Sequence, residues 1–164
     1  MPPKTPRSPL AHVLLSSTPG DSNPWAEKTG RTYDIRVDDY GDDGSYSITV
    51  NIDRVQQGTV GWICHRDGGL GAVAGLIVFN GGEGHEDGLV YKYGTIWPLP
   101  REYWVDGGRL IAREWDGAPF RIGPSRFQNG QEAKPANVAV LQRELHPAVR
   151  DWLTYQQYRL DTAR

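Results

Sequence analysis

Two segments of strictly alternating polarity constrain the fold of this chain more than any other feature. The first, TYDIRVDD, places its apolar residues at positions 33, 35 and 37, and the second, SYSITVNID, places them at 46, 48, 50 and 52. A period of two puts all the apolar side chains of a strand on one face. The linker DYGDDG supplies the Gly and Asp residues that turns favour. Residues 33–52 are therefore predicted to form a β-hairpin.

The next segments also indicate short strands. The chain has 20 Gly and 12 Pro, and they separate the apolar runs at 59–65, 72–80 and 89–97 without a fixed period. The run at 72–80 (AVAGLIVFN) is almost entirely apolar, which is typical of a central strand covered on both faces. A Gly-rich loop is predicted at 81–88 (GGEGHEDG), and further turns at the DGG and DG sequences beyond it. These signals favour a curled meander or small barrel of about 7–9 antiparallel strands.

The pattern changes to a helical one after residue 130. Pro135 suits the first turn of a helix, and Val138, Leu141 and Leu145 follow at helical spacing. Pro147 ends that helix and starts a second one. The predicted fold class is thus α+β, mainly antiparallel β with two C-terminal helices. Residues 1–31 are predicted to be a flexible arm and loop, and 32–164 a single β-rich domain with its helical segment at 135–162.

Composition excludes several classes of function. The net charge of −2 gives no general reason to bind nucleic acid or anionic lipid. The single cysteine, Cys64, excludes an internal disulfide and a cysteine-based zinc cluster. No apolar run approaches the roughly 20 residues that span a bilayer. We expect a cytoplasmic protein without a membrane segment, and the excess of Arg over Lys is typical of a bacterial or phage genome.

Acidic residues are concentrated in one part of the chain. Residues 32–90 hold ten acidic groups against three basic ones, Arg36, Arg54 and Arg66. The acids cluster in two predicted hairpin loops, and the members of the clusters are Asp38, Asp39, Asp42, Asp43, Glu83, Glu86 and Asp87. The leading hypothesis is a non-enzymatic binding protein that engages a basic patch of another protein through these loops. A cation site at 38–44 is left open, although a calcium loop would need a further acid and a distal Glu.

A second hypothesis is nucleic-acid or nucleotide binding by the segment 97–126. Aromatic rings stack on bases and arginines pair with phosphates. The residues proposed for that surface are Trp97, Trp104, Trp115, Arg109 and Arg113. The competing interpretation is that the rings belong to the core beneath the helices.

A third hypothesis is a small enzyme with a site of histidines and acids. His65, His85 and nearby carboxylates would have to converge from different strands. Cys64 and His65 are adjacent, so in a strand they point to opposite faces and form no dyad. The stretch Gly69-x-Gly71-x-x-Ala74 resembles a dinucleotide fingerprint, but the β-branched residues after it favour a turn rather than the required helix. We therefore expect no cofactor.

Overall fold

The computed structural model describes residues 8–17, 42–65, 72–107, 109 and 129–162. Two short 3-10 helices, Ile52–Arg54 and Arg101–Tyr103, interrupt the longer elements. Those longer elements are β1 (His12–Ser17), β2 (Asp42–Ile48), β3 (Val60–His65), β4 (Ala72–Glu86), β5 (Leu89–Pro98), β6 (Val105–Asp106), β7 (Gln131–Glu132), α1 (Pro135–Glu144) and α2 (Pro147–Thr162). The predicted strand at 33–37 and both glycines of the predicted turn, Gly69 and Gly71, lie outside the described residues.

The strands form one curled sheet in the order β2–β5–β4–β3–β1–β7, with β6 pairing on β4. Neighbouring strands are antiparallel except for β1 and β3, which run parallel. The prediction of a mainly antiparallel, curled α+β fold with two C-terminal helices is confirmed.

Strand β4 forms the centre of the sheet, as its composition predicts. All eight residues from Ala72 to Phe79 are buried. Alternate residues of β3 and β4 enter two separate apolar clusters, because successive side chains of a strand point to opposite faces. One cluster includes Trp62 and Leu76 together with residues of both helices, and the other includes Ile63 and Phe79. The sheet is therefore covered on both faces.

The two helices begin and end where the prolines predict. Pro135 occupies the first turn of α1, and the backbone N–H of Leu145 closes its last turn by donating to the carbonyl of Leu141. Trp152 of α2 is fully buried, and its ring centroid lies 5.5 Å from that of Trp97 on β5. This contact and the apolar stripe of both helices fix the helical hairpin to one face of the sheet.

Strand β1 differs from the predicted N-terminal arm. His12–Ser17 pairs with β3 on one side and with β7 on the other, so it lies inside the sheet and not at its edge. Val13 and Leu15 are fully buried. The three consecutive apolar residues at 13–15 explain this placement, because such a run is stable only where both faces of a strand are covered.

Strand β2 is shifted relative to the predicted hairpin. It begins at Asp42, within the predicted loop, and ends at Ile48, although the alternating pattern continues to Ile52. The chain turns at Asn51, which adopts a left-handed backbone conformation with φ of 54°. Asn tolerates this region better than most residues. The described partner of β2 is β5, to which it pairs in antiparallel register.

Residues 129–133 connect parts of the chain that are far apart in sequence. The N–H of Gly130 donates to the carbonyl of Leu14, and the N–H of Ala133 donates to the carbonyl of His12. In the same segment, Asn129 Nδ2 donates to the carbonyl of Ser47 at 3.0 Å. Through these hydrogen bonds, the segment connects β1 to the end of β2.

Candidate functional site

Strand β4 leaves the core at Asn80. The seven residues that follow Phe79, from Asn80 to Glu86, are exposed or only partly buried. The pairing with β5 shifts between Phe79 and Glu83 and then continues regularly to Glu86 opposite Leu89. We call residues 80–93 the ribbon; they are the outer parts of β4 and β5 joined by their turn, and β2 pairs with the β5 part from Val90 to Tyr93.

The tip of the ribbon is a turn of two residues. Asp87 and Gly88 have φ angles of 52° and 76°, and strand pairing resumes directly at Leu89. Two central residues with positive φ are the mark of a tight hairpin turn, for which Asp-Gly is a preferred sequence. The predicted loop at 81–88 is thus wrong in extent, since Gly81–Glu86 belong to a strand.

Three polar side chains are joined on one face of the ribbon. Glu83 lies opposite Lys92, and its Oε1 is 2.5 Å from Lys92 Nζ. The other carboxylate oxygen is 3.0 Å from His85 Nε2. Hydrogen bonding from Lys92, and then from His85, lowers the pKa of Glu83. The carboxylate stays charged, and its pairing with the buried Lys92 links β4 to β5.

The opposite face of the ribbon presents apolar groups to solvent. Leu89 and Tyr93 are 43% and 41% exposed, and both point to this face because they are four residues apart on β5. Gly84 allows the Tyr93 ring to lie across β4, since a Cβ at that position would collide with the Tyr93 hydroxyl. Glu86, directly opposite Leu89, is exposed and lies on the same face.

The structure separates the two acidic clusters. Asp43 pairs with Thr95 of β5, whereas Glu86 pairs with Leu89, six residues away on the same strand. At a rise of about 3.3 Å per residue, this places them about 20 Å apart along the sheet. Asp42 and Asp43 are strand residues and not loop residues, and Asp38 and Asp39 lie outside the described residues. Asp42 and Asp43 are therefore well separated from Glu86 along the sheet.

Part of the predicted aromatic and basic surface lies inside the fold. Trp97 is fully buried, so its ring is not available for stacking. Trp104 is partly buried against the core and donates its Nε1–H to the carbonyl of Leu99 at 3.0 Å. Arg109 pairs with Glu144 of α1 at 3.0 Å. Arg113 and Trp115 lie outside the described residues.

The histidines predicted for an enzymatic site do not converge. His65 pairs with Ala72 at one end of β4, and His85 lies thirteen residues further along the same strand. That separation is a contour length of roughly 40 Å. Cys64 is fully buried, and burial raises the pKa of its thiol well above the ordinary value. Cys64 is therefore a core residue.

A cleft of about 300 Å³ lies between β1, β7 and α1, and no sequence motif predicted it. His12, Glu132 and Gln142 contribute to its lining. The Nδ1 of His12 accepts a hydrogen bond from the Trp62 indole N–H at 3.0 Å, and burial lowers the pKa of the imidazole. His12 is thus held neutral, with its ring fixed by Trp62. The only signal that pointed here was an isolated histidine within an apolar run.

Two kinds of feature are absent from the part of the chain that the structure describes. None of its helices has the length and apolar character needed to cross a membrane. No group of three or more His, Cys, Asp or Glu side chains among the described residues is arranged to hold a metal ion.

Comparison with protein-family models, with curated proteins and with solved structures finds no match for this chain.

Proposed function

We propose that this chain is a non-enzymatic, cytoplasmic binding protein of bacterial or phage origin, which recognises a basic protein partner through the exposed ribbon. One observation carries the proposal. The structure describes three large apolar side chains that are strongly exposed, and two of them, Leu89 and Tyr93, share one face of the ribbon. Exposed apolar groups that are grouped rather than scattered are typical of interaction surfaces.

The charge of the ribbon supports a basic partner. Glu83 is already compensated by Lys92, so Glu86 and the turn residue Asp87 are the acids left to attract cations from outside. Both lie next to Leu89. A partner that combines Lys or Arg with apolar side chains would complement this arrangement in charge and in polarity.

The strand pairing of the ribbon also favours recognition. The ladder from Glu83 to Leu89, the tight turn and the Glu83–Lys92 pair fix its shape before any partner arrives. A surface that is already ordered loses less conformational entropy on binding than a mobile loop does.

A peptide titration followed by NMR tests the proposal. We expect a peptide of about ten alternating Lys and Leu residues to shift amide resonances at 82–93, with an affinity that falls as salt is added. The matching Glu–Leu peptide should leave these resonances unchanged. Leu89→Asn and the double variant Glu86→Gln, Asp87→Asn should each weaken binding.

Two control variants separate the ribbon from the general surface. Tyr158→Asn removes the third exposed apolar side chain, which lies on α2, and Asp151→Asn removes an exposed acid from the same helix. Both should bind the peptide like the unaltered protein. Shifts spread over the whole surface, or equal losses in the control variants, would contradict the proposal. Binding of labelled DNA in place of the peptide would favour the segment 97–126 instead.

A further inference from the structure

The helical hairpin carries a second concave surface. A cleft of about 700 Å³ lies between α1 and α2. This volume is within the range of about 300–1,000 Å³ that is usual for small-molecule sites. Ala139 and Gln142 line both this cleft and the His12 cleft, so the two concavities adjoin.

The floor of the cleft is apolar and its rim is polar. Leu145 and Leu153 line it and are themselves buried, while Ala136 and Ala139 are too small to fill it. The rim carries the side chains of Gln142, Arg143, Arg150, Thr154 and Gln157. A cleft with this division of polarity suits a ligand that has an apolar body and a polar head group.

Two arginines indicate that the head group carries a negative charge. Arg143 and Arg150 are exposed, and neither forms a salt bridge with any carboxylate of the described residues. The described residues that line the cleft also include no acid. Guanidinium groups pair readily with carboxylates and phosphates, often through two parallel hydrogen bonds.

The position of Arg150 strengthens this interpretation. It follows the first turn of α2 closely, where the helix dipole favours an anion and disfavours a cation, and that turn contains no acid. The free N–H groups there are already used, since Ala148 donates to His146 Nδ1 and Val149 donates to the His146 carbonyl. A bound anion would relieve the unfavourable charge, and the arginine side chains would be its donors.

From this arrangement we infer that the α1–α2 cleft binds a small organic anion, a carboxylate or a phosphate monoester carried on an apolar body. The site is independent of the ribbon, so either can fail without the other. The shared chemistry is a planar or tetrahedral oxyanion held by Arg143 and Arg150, above the apolar floor that Leu145 and Leu153 provide.

Titration calorimetry with four probes tests the inference. These are 1-naphthyl phosphate, 1-naphthoate, 1-naphthol and inorganic phosphate. We expect at least one naphthyl anion to bind with a dissociation constant on the order of 1 mM or tighter. Naphthol and inorganic phosphate should bind at least about tenfold more weakly, because naphthol lacks the anionic head group and inorganic phosphate lacks the apolar body. The stronger of the two naphthyl anions identifies the head group.

Variants locate the binding. Arg143→Gln and Arg150→Gln should each weaken it about tenfold. Ala139→Leu fills the cleft with a good helix former and should abolish binding while both arginines remain. Lys134→Gln removes an exposed charge from the start of α1 and should change nothing. Absence of binding by both naphthyl anions, or an equal loss in Lys134→Gln, would overturn the inference. Unchanged thermal unfolding of each variant confirms that the fold is intact.

Discussion

Gly94 occupies the point where the ribbon leaves the core, and its replacement by Ala should destabilise the fold strongly. Gly94 pairs with Phe79, the last buried residue of β4. A Cβ on residue 94 would lie 2.9 Å from Phe79 Cα and from the Val78 carbonyl carbon, and closer still to the Val78 oxygen. All of these are backbone atoms, so no side-chain rotation removes the collision.

The magnitude follows from the geometry. Carbon atoms in contact are normally about 3.5–4.0 Å apart, so β5 would have to move from β4 by up to about 1 Å. Overpacking of this kind costs about 1–3 kcal/mol. Weakening two ladder hydrogen bonds adds about 0.5–1.5 kcal/mol for each bond. We expect Gly94→Ala to lower the free energy of unfolding by about 2–6 kcal/mol, and the Tm by about 4–24 °C.

Urea unfolding followed by Trp fluorescence measures this loss, because Trp62, Trp97 and Trp152 are fully buried. Gly58→Ala is the matched control. Gly58 has a φ of 90°, but a Cβ on this residue would meet no atom within 4 Å, so its cost is backbone strain alone, about 1–2 kcal/mol. If Gly94→Ala and Gly58→Ala are equally stable, the close approach of β5 to β4 is refuted.

Three further predictions concern the interior. Burial lowers the pKa of His12, so at a pH just below the ordinary value of 6.5 the unfolded chain binds more protons than the folded chain. The free energy of unfolding should therefore fall as the pH drops through this range. His12→Asn should reduce this pH dependence, as measured by urea titrations at several pH values. The Cys64 thiol is fully buried. A thiol reagent should therefore label it at least about 100-fold more slowly in the folded protein than in urea. Equal labelling rates would show that β3 is open to solvent. Trp152→Ala should lower the free energy of unfolding by about 3–5 kcal/mol, and Trp152→Phe should lower it clearly less, because the Trp152 ring fills the space between α2 and Trp97. Equal losses for the two variants in calorimetric unfolding would contradict that packing.

The helices and the central strand could be predicted from the sequence because their signals are local. Pro135 and Pro147 mark the helix starts, and the run 72–79 has no polar residue. Burial and proline geometry act on these residues regardless of the rest of the fold.

The ribbon could not be predicted, because glycine is disfavoured in strands. Gly81, Gly82 and Gly84 give the segment the composition of a loop, although the pairing of Glu83 with Lys92 and the Asp-Gly turn make it a strand. The cleft between α1 and α2 was missed for another reason. Its residues are ordinary surface residues of two helices, and only the packing of the helices brings Arg143 and Arg150 to one concavity.

The fastening of β1 by residues 129–133 has a consequence for how the chain acquires its structure during synthesis. β1 leaves the ribosome before every other described strand, yet β7, its neighbour on one side, is made more than a hundred residues later. Until then, the carbonyls of His12 and Leu14 have no strand partner on that side. Contacts between such distant segments form slowly, so this side of β1 stays unpaired by β7 until residues 131–132 have been made, and an open sheet edge can pair with another copy of the chain.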